Sequence, residues 1–80
     1  MIINLPSDIG NLIRDTRKRN GLTQQQLGLQ VGIQQRTISV IESDPSNTSL
    51  EKVVRICKAL GLMITVGDSQ ANQKDDGAEW

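Results

Sequence analysis

The chain has 80 residues, 36% of them apolar, which is enough for one small domain. It has no histidine and one cysteine, which excludes a histidine general base, a disulfide framework and a zinc cluster and argues against an enzyme. The formal net charge is zero, but residues 1–67 carry eight basic and five acidic side chains, a net of +3. We expect a mildly basic domain, residues 1–67, followed by an acidic tail, residues 68–80.

The sequence gives no sign of membrane insertion or export. No apolar run approaches the roughly 20 residues that span a bilayer, and the first residues lack the pattern of a signal peptide. We therefore expect a cytoplasmic protein. Cys57 lies at helical spacing from Val53, Ile56 and Leu60, which predicts a buried core thiol. No cofactor, metal ion, small-molecule ligand or membrane partner is expected.

The first predicted helix begins at Ser7, a plain N-cap that is followed by the acidic Asp8. The apolar residues Ile9, Leu12 and Ile13 lie at helical spacing, and Thr16 continues the same face. The basic run Arg17–Arg19 places positive charge at the carboxyl end, where the helix dipole favours it. Asn20-Gly21 is expected to end this helix.

Two further helices are predicted on either side of a glycine. Thr23 and Gln26 form a capping box that opens a helix from Thr23 to about Val31. Gly32 can take the left-handed conformation of a sharp turn, and the next helix runs from about Gln34 to Ser43. The buried face of that helix is predicted to hold Ile38 and Ile41, and the opposite face Arg36, Ser39, Val40 and Ser43.

A fourth helix is predicted after the turn at residues 44–47. Thr48 and Glu51 form a second capping box, and Gly61 is placed to end the helix after Leu60. Its buried residues are predicted to be Leu50, Val53, Ile56, Cys57 and Leu60.

The segment after the fourth helix is short and rich in β-branched residues, which predicts a strand. The predicted strand comprises Leu62, Met63, Ile64, Thr65 and Val66. Its partner is either residues 2–5 of the same chain or the same segment of a second copy across a two-fold axis, and we favour the second. The predicted fold is mainly α, with four to five helices and one short strand that pairs across a dimer.

The tail is predicted to be disordered in the free protein, because residues 68–79 have almost nothing apolar to bury. It nevertheless ends at Trp80, the only aromatic residue of the chain.

Two short helices joined by a tight glycine turn can lay the second helix in the major groove of DNA. The residues that carry a family resemblance are Gly21-Leu22-Thr23-Gln24, Leu27, Val31-Gly32-Ile33, Thr37-Ile38-Ser39 and Glu42. Over about Ile9 to Leu62, the chain resembles the Cro/C1-type, or XRE, helix-turn-helix family. Within that family, residues 44–50, the predicted strand and Glu79-Trp80 resemble the HipB antitoxins. The resemblance implies a λ-repressor-like fold, binding to double-stranded operator DNA, and a kinase toxin of the HipA type as partner.

Residues that read bases are expected at the start of the third predicted helix. Gln35 can bond adenine and Arg36 can bond guanine, each worth roughly 1–3 kcal/mol of discrimination. Gln34 and Ser39 flank them, and the resemblance implies that both approach base edges or phosphates.

Phosphate contacts are expected at the edges of this unit. Gln24 stands at a helix start, where free amides favour an anion; its alternative role is to support the helix cap. Thr23, Arg19 and Ser43 are expected to contact phosphates as well. The basic group of Arg14, Arg17, Lys18 and Arg19 is explained equally by a solvated helix end or by phosphate contacts.

Two further residues are expected to have structural roles. The resemblance implies that Arg17 and Glu42 form an ion pair that bridges the first and third helices. Gly28 stands where the family usually has alanine, so Gly28→Ala is expected to stabilise the domain if a methyl group fits.

Two functions are compatible with these features. One is a homodimeric repressor that holds two recognition helices roughly 34 Å apart on a palindromic operator. The other is an antitoxin that represses its own operon and binds a HipA-like serine/threonine kinase, with Trp80 as an interface anchor. Trp80 is also explained by chance or by degradation signalling, and a Cro-like repressor with no toxin is the alternative to the antitoxin.

Overall fold

The computed structural model describes residue 3 and residues 5–65, and they are mainly helical. Four α-helices and one short 3-10 helix follow in order: α1 (Pro6–Arg19), α2 (Gln24–Val31), α3 (Gln35–Ser43), η1 (Pro45–Asn47) and α4 (Leu50–Ala59). The predicted mainly helical fold is confirmed. The predicted acidic tail, Trp80 and Val66 lie outside the described residues. No helix within the described part is long and apolar enough to cross a membrane.

The start of α1 differs from the prediction. Leu5, not Ser7, is the N-cap residue, and Pro6 is the first residue of the helix. Proline suits this position because its missing N–H would have no partner inside the helix. The Asp8 carboxylate accepts a hydrogen bond from the Leu5 amide at 3.0 Å. The predicted cap at Ser7 is therefore wrong, although the acidic residue that follows it stabilises the helix start.

The residue that caps α4 and the exposure of the first residue of this helix both differ from the prediction. The hydroxyl of Ser49, not that of Thr48, accepts a hydrogen bond from the Lys52 amide, at 3.3 Å. Leu50 is the first residue of the helix and is 74% exposed. The prediction that Leu50 belongs to the core is wrong.

One apolar core holds the helices together. All four α-helices contribute, as does Ile33 in the turn between α2 and α3. The buried apolar residues are Ile13, Leu27, Val31, Ile33, Ile38, Ile41, Val53, Ile56, Cys57 and Leu60. Cys57 is 5% exposed, and burial raises the pKa of its thiol. The prediction of a core thiol is confirmed.

The loop between α3 and α4 is built around a buried proline. Pro45 lies at the start of η1 and is buried. The Asp44 carboxylate accepts hydrogen bonds from the amide and the hydroxyl of Ser46, and these bonds lower the pKa of Asp44. The side chain of Asp44 thereby closes the turn that leads the chain away from α3.

The carboxyl end of α4 is closed as predicted by Gly61. This residue has φ +78°, and the amide of Leu62 donates to the carbonyl of Cys57 at 2.8 Å. Leu62 packs against the core, whereas Met63 and Ile64 are 88% and 45% exposed. Residues 62–65 have no regular secondary structure in the single chain. The strand pairing across a dimer involves a second chain and stays a prediction.

Candidate DNA interface

The turn between α2 and α3 orients the two helices of the candidate site. Gly32 has φ +71°, a left-handed conformation that glycine adopts without strain. The amide of Ile33 donates to the carbonyl of Gly28 at 2.9 Å, and Ile33 is buried. The predicted turn is confirmed, with residues 32–34 separating the helices.

The capping box at the start of α2 is also present. The Thr23 hydroxyl accepts a hydrogen bond from the Gln26 amide at 3.0 Å, and the Thr23 amide donates to Gln26 Oε1 at 2.8 Å. Two amide groups of the helix start are thereby satisfied. The Thr23 hydroxyl proton is not used in these bonds, so it can be donated to an anion at the helix start.

Gly28 lies where α2 approaches the following turn too closely for a side chain. A Cβ atom at this position would be 2.4 Å from the backbone oxygen of Ile33. A backbone atom cannot move aside as a flexible side chain does, so a methyl group does not fit. The condition on which Gly28→Ala would stabilise the domain is therefore not met, and we expect this substitution to destabilise it.

Gly10 makes a second close contact of this kind, which was not predicted from the sequence. A Cβ atom at Gly10 would be 2.5 Å from the backbone oxygen of Glu42 and 2.7 Å from that of Ile41. This contact sets α1 against the end of α3. The available signal was a glycine within a predicted helix, a position where glycine lowers helix stability and therefore needs a packing reason.

The ion pair expected between Arg17 and Glu42 joins α1 to α3. Arg17 Nε donates to Glu42 Oε2 at 2.6 Å, and Arg17 Nη2 donates to Glu42 Oε1 at 3.1 Å. The two side chains are only 9% and 4% exposed. A third bond runs from Arg17 Nη1 to the carbonyl of Leu22 at 2.7 Å. The pair therefore ties α1, α3 and the loop before α2 together.

Gln24 joins this network through a contact that was not predicted from the sequence. Its Nε2 donates to Glu42 Oε1 at 3.1 Å. A carboxylate only accepts hydrogen bonds, so Glu42 fixes which end of the Gln24 amide faces inward. The amide nitrogen has a second proton. Gln24 is half-buried at the start of α2, so its side chain is partly accessible to solvent.

α3 presents a buried face and an exposed face. Ile38 and Ile41 are fully buried, and Arg36 projects almost directly away from them because successive helix residues are about 100° apart. Gln34 is the N-cap residue and Gln35 the first residue of the helix. The four residues predicted to read bases are all exposed, and they lie at the N-cap or within the first five residues of α3: Gln34, Gln35, Arg36 and Ser39.

The basic residues of α1 are not equivalent. Arg17 is buried in the ion pair and is not available to phosphates. Arg14 is bonded to Asn11 at 3.1 Å, whereas Lys18 and Arg19 are exposed. Arg19 Nη2 donates to Thr16 Oγ1 at 3.0 Å, which directs this side chain along the helix end. Ser43, also expected at a phosphate, is exposed and is the last residue of α3.

Arg55 links α4 to the helix-turn-helix unit. Its Nη1 donates to the carbonyl of Val31, the last residue of α2, at 3.0 Å. Its Nε donates to Glu51 Oε2, also at 3.0 Å. Arg55 therefore supports the turn from outside the unit itself.

Comparison with known proteins places this arrangement among DNA-binding domains. A family model described as Helix-turn-helix matches residues 13–65. The antitoxin HipB of Escherichia coli O6:H1 (strain CFT073) is 38% identical over 74 residues, covering 92% of this chain and 78% of that protein. A chain of the HipA-HipB-O2-O3 complex superposes with a TM-score of 0.78 at 36% identity, covering 86% of this chain and 97% of that chain. A chain of the HipB-O4 20mer complex gives the same TM-score, identity and coverage.

Proposed function

The chain belongs to the Cro/C1-type helix-turn-helix family, and we propose that it is a sequence-specific DNA-binding repressor that acts as the antitoxin of a toxin–antitoxin module. The observation that carries the proposal is the exposed face of α3. Its opposite face is anchored in the core by Ile38 and Ile41, and the helix is held to α1 by the Arg17–Glu42 pair.

On DNA, α3 lies in the major groove and α2 crosses the phosphate backbone. Gln35 bonds the N6 and N7 groups of an adenine, and Arg36 bonds the O6 and N7 atoms of a guanine. Gln34 and Ser39 contact neighbouring base edges or phosphates. These roles fit the position of each side chain at the exposed amino half of α3.

Phosphate contacts surround this reading surface. Thr23 donates its hydroxyl proton and Gln24 its second amide proton, both at the positive end of the α2 dipole. Arg19 and Ser43 contribute from the ends of α1 and α3. Because Glu42 holds Gln24 by a bond of 3.1 Å, its amide is oriented before DNA arrives, which reduces the ordering cost of binding.

The repressor acts as a homodimer. Leu62–Val66 pairs with its copy, and the two α3 helices reach successive major grooves roughly 34 Å apart. Proline lacks the amide proton that a ladder uses, so Ile64→Pro should give monomers in sedimentation experiments with unchanged helical content, and Met63→Ser should remain dimeric. A dimeric Ile64→Pro variant would argue for another interface.

The partner proposed for the antitoxin role is a HipA-like serine/threonine kinase, and the operator is the promoter of the operon that encodes both. The similarity to chains of HipB complexes, one of which also contains HipA, supports this assignment. Trp80 is proposed to anchor the kinase. A Cro-like repressor with no toxin is the second candidate, because every contact described at the candidate DNA interface serves such a protein equally well.

DNA binding is tested by titrating the protein into its own upstream DNA and into unrelated DNA at several salt concentrations. The wild type should prefer upstream DNA, and its affinity should fall steeply with salt. Arg36→Ala should lose about 1–3 kcal/mol of this preference. Lys52→Ala removes an equal charge from the exposed side of α4 and should bind like the wild type. Absence of any preference would contradict the repressor assignment.

The antitoxin role is tested with the kinase encoded beside this gene, if one is present. Full-length protein should bind and inhibit it, and deletion of Trp80 should weaken that complex while DNA binding stays intact. A neighbouring gene for a kinase that this protein fails to bind, or a neighbourhood of phage genes only, would favour the simple repressor.

A further inference from the structure

Val40 is an apolar residue on the polar face of α3 with no evident role in the fold. It is 53% exposed, whereas its neighbour Ile41 is fully buried. A β-branched residue is also a poorer helix former than alanine. The position therefore contributes little to packing and carries a small cost in helix stability.

The geometry of α3 places Val40 beside the base-reading residues. It lies about 40° around the helix axis and about 6 Å along it from Arg36. The face of α3 that surrounds Arg36 is formed by Ser39, Val40 and Ser43, and all of these residues are exposed. When Arg36 reaches a base edge, Val40 is carried into the same groove.

The major groove offers one apolar group among its hydrogen-bonding edges, the C5-methyl group of thymine. The geometry points to Val40 as a specificity-determining residue that packs on the methyl group of a thymine within about three base pairs of the guanine bound by Arg36. This inference rests on the proposed DNA-binding function and adds to it a base that no hydrogen bond selects. The branched side chain presents two methyl groups and excludes water from the contact.

The test replaces thymine by uracil, one position at a time, in one half of the operator. Uracil keeps every hydrogen-bonding group of thymine and lacks only the C5-methyl group. Wild-type protein should lose affinity about fourfold at one such position, the effect of burying one methyl group. Val40→Ala should bind the thymine and uracil forms of that position equally. Leu29→Ala, an exposed apolar residue of α2 (78% exposed), should keep the sensitivity of the wild type.

The outcomes separate this inference from the function on which it rests. Binding that prefers upstream DNA but shows no uracil effect at any position overturns the role of Val40 alone. The same holds if Val40→Ala keeps the full uracil effect, because another group then contacts the methyl. Loss of all preference for upstream DNA in the wild type overturns both proposals. A melting temperature of Val40→Ala equal to or above that of the wild type separates a contact effect from misfolding.

Discussion

Two regions of the molecule differ in which side chains they bury. One is the interior between α1, α2 and α3, and the other is the surface near the amino ends of α1 and α4. In the first region Arg17 and Glu42 are charged yet buried, and they and the half-buried Gln24 are hydrogen-bonded to one another. In the second, apolar side chains face solvent: Leu5 is 62% and Leu50 is 74% exposed. Both border an open groove of about 330 Å³.

The difference shows which side chains already have all their stabilising contacts within one chain. In the polar network, replacing Arg17 or Glu42 leaves the other buried charge without its ion-pair partner. Leu5 and Leu50 at the groove are exposed and make few contacts that a substitution can remove. We therefore expect large losses of stability in the first region and small ones in the second.

Glu42→Ala is expected to have the largest effect. It leaves the Arg17 guanidinium buried without its carboxylate, which costs about 3–5 kcal/mol of unfolding free energy. Urea unfolding measures this loss. Glu51→Ala is the matched control, because its pair with Arg55 is exposed and is worth less than about 1 kcal/mol. Equal losses in the two variants would contradict the proposed difference between buried and exposed pairs.

Gly28→Ala and Gly10→Ala come next. Each forces a methyl group against a backbone oxygen, 2.4 Å and 2.5 Å away, so we expect each to lose about 1–3 kcal/mol. Thermal unfolding gives the measurement, with Leu29→Ala as the control for an alanine placed in α2 without a clash. A higher melting temperature in either glycine variant would mean that the backbone shifts freely at that contact.

Thr23→Ala should have a moderate effect. Loss of the hydroxyl that caps α2 costs about 1 kcal/mol, and DNA affinity should fall as well if the same hydroxyl donates to a phosphate. Thr23→Ser keeps both functions and should behave like the wild type in urea unfolding and in DNA titration. If Thr23→Ala loses stability but not affinity, the phosphate contact is wrong.

Leu50→Ser should have the smallest effect. The side chain is 74% exposed, so we expect a change of less than about 0.5 kcal/mol in the isolated chain. Unfolding is measured across protein concentrations. A loss that grows with concentration would show that another copy covers this surface, and the comparison between the two regions would then need revision.

Features that depend on neighbouring residues were predictable from the sequence. The capping box at Thr23 and the turn at Gly32 each involve a few consecutive residues, and both are present. Errors arose where two local solutions compete. Thr48 and Ser49 both carry a hydroxyl, and only the packing of α4 decides which of them caps it. Leu50 shares the helical spacing of the buried residues of α4 but is its first residue and is exposed.

Contacts between residues far apart in the chain were harder to predict from the sequence. Arg17 and Glu42, which are 25 residues apart, were paired through a family resemblance, and nothing in the local sequence indicates that Gln24 joins them. The clash at Gly28 depends on the path of the Ile33 carbonyl, and the usual alanine of the family suggested the opposite. The base-reading roles of Gln35 and Arg36 were inferred from side-chain chemistry and await DNA titration.

The burial of Cys57 makes its thiol a natural reporter of how often the domain opens. A thiol reagent reacts with the thiolate, and this group is enclosed by the core with a raised pKa, so modification has to wait for the surrounding helices to open. The rate of labelling at native conditions therefore reports the frequency of that opening. Adding operator DNA should slow the labelling of Cys57 to the extent that binding stabilises the closed domain. The measurement uses the native cysteine and needs no substitution.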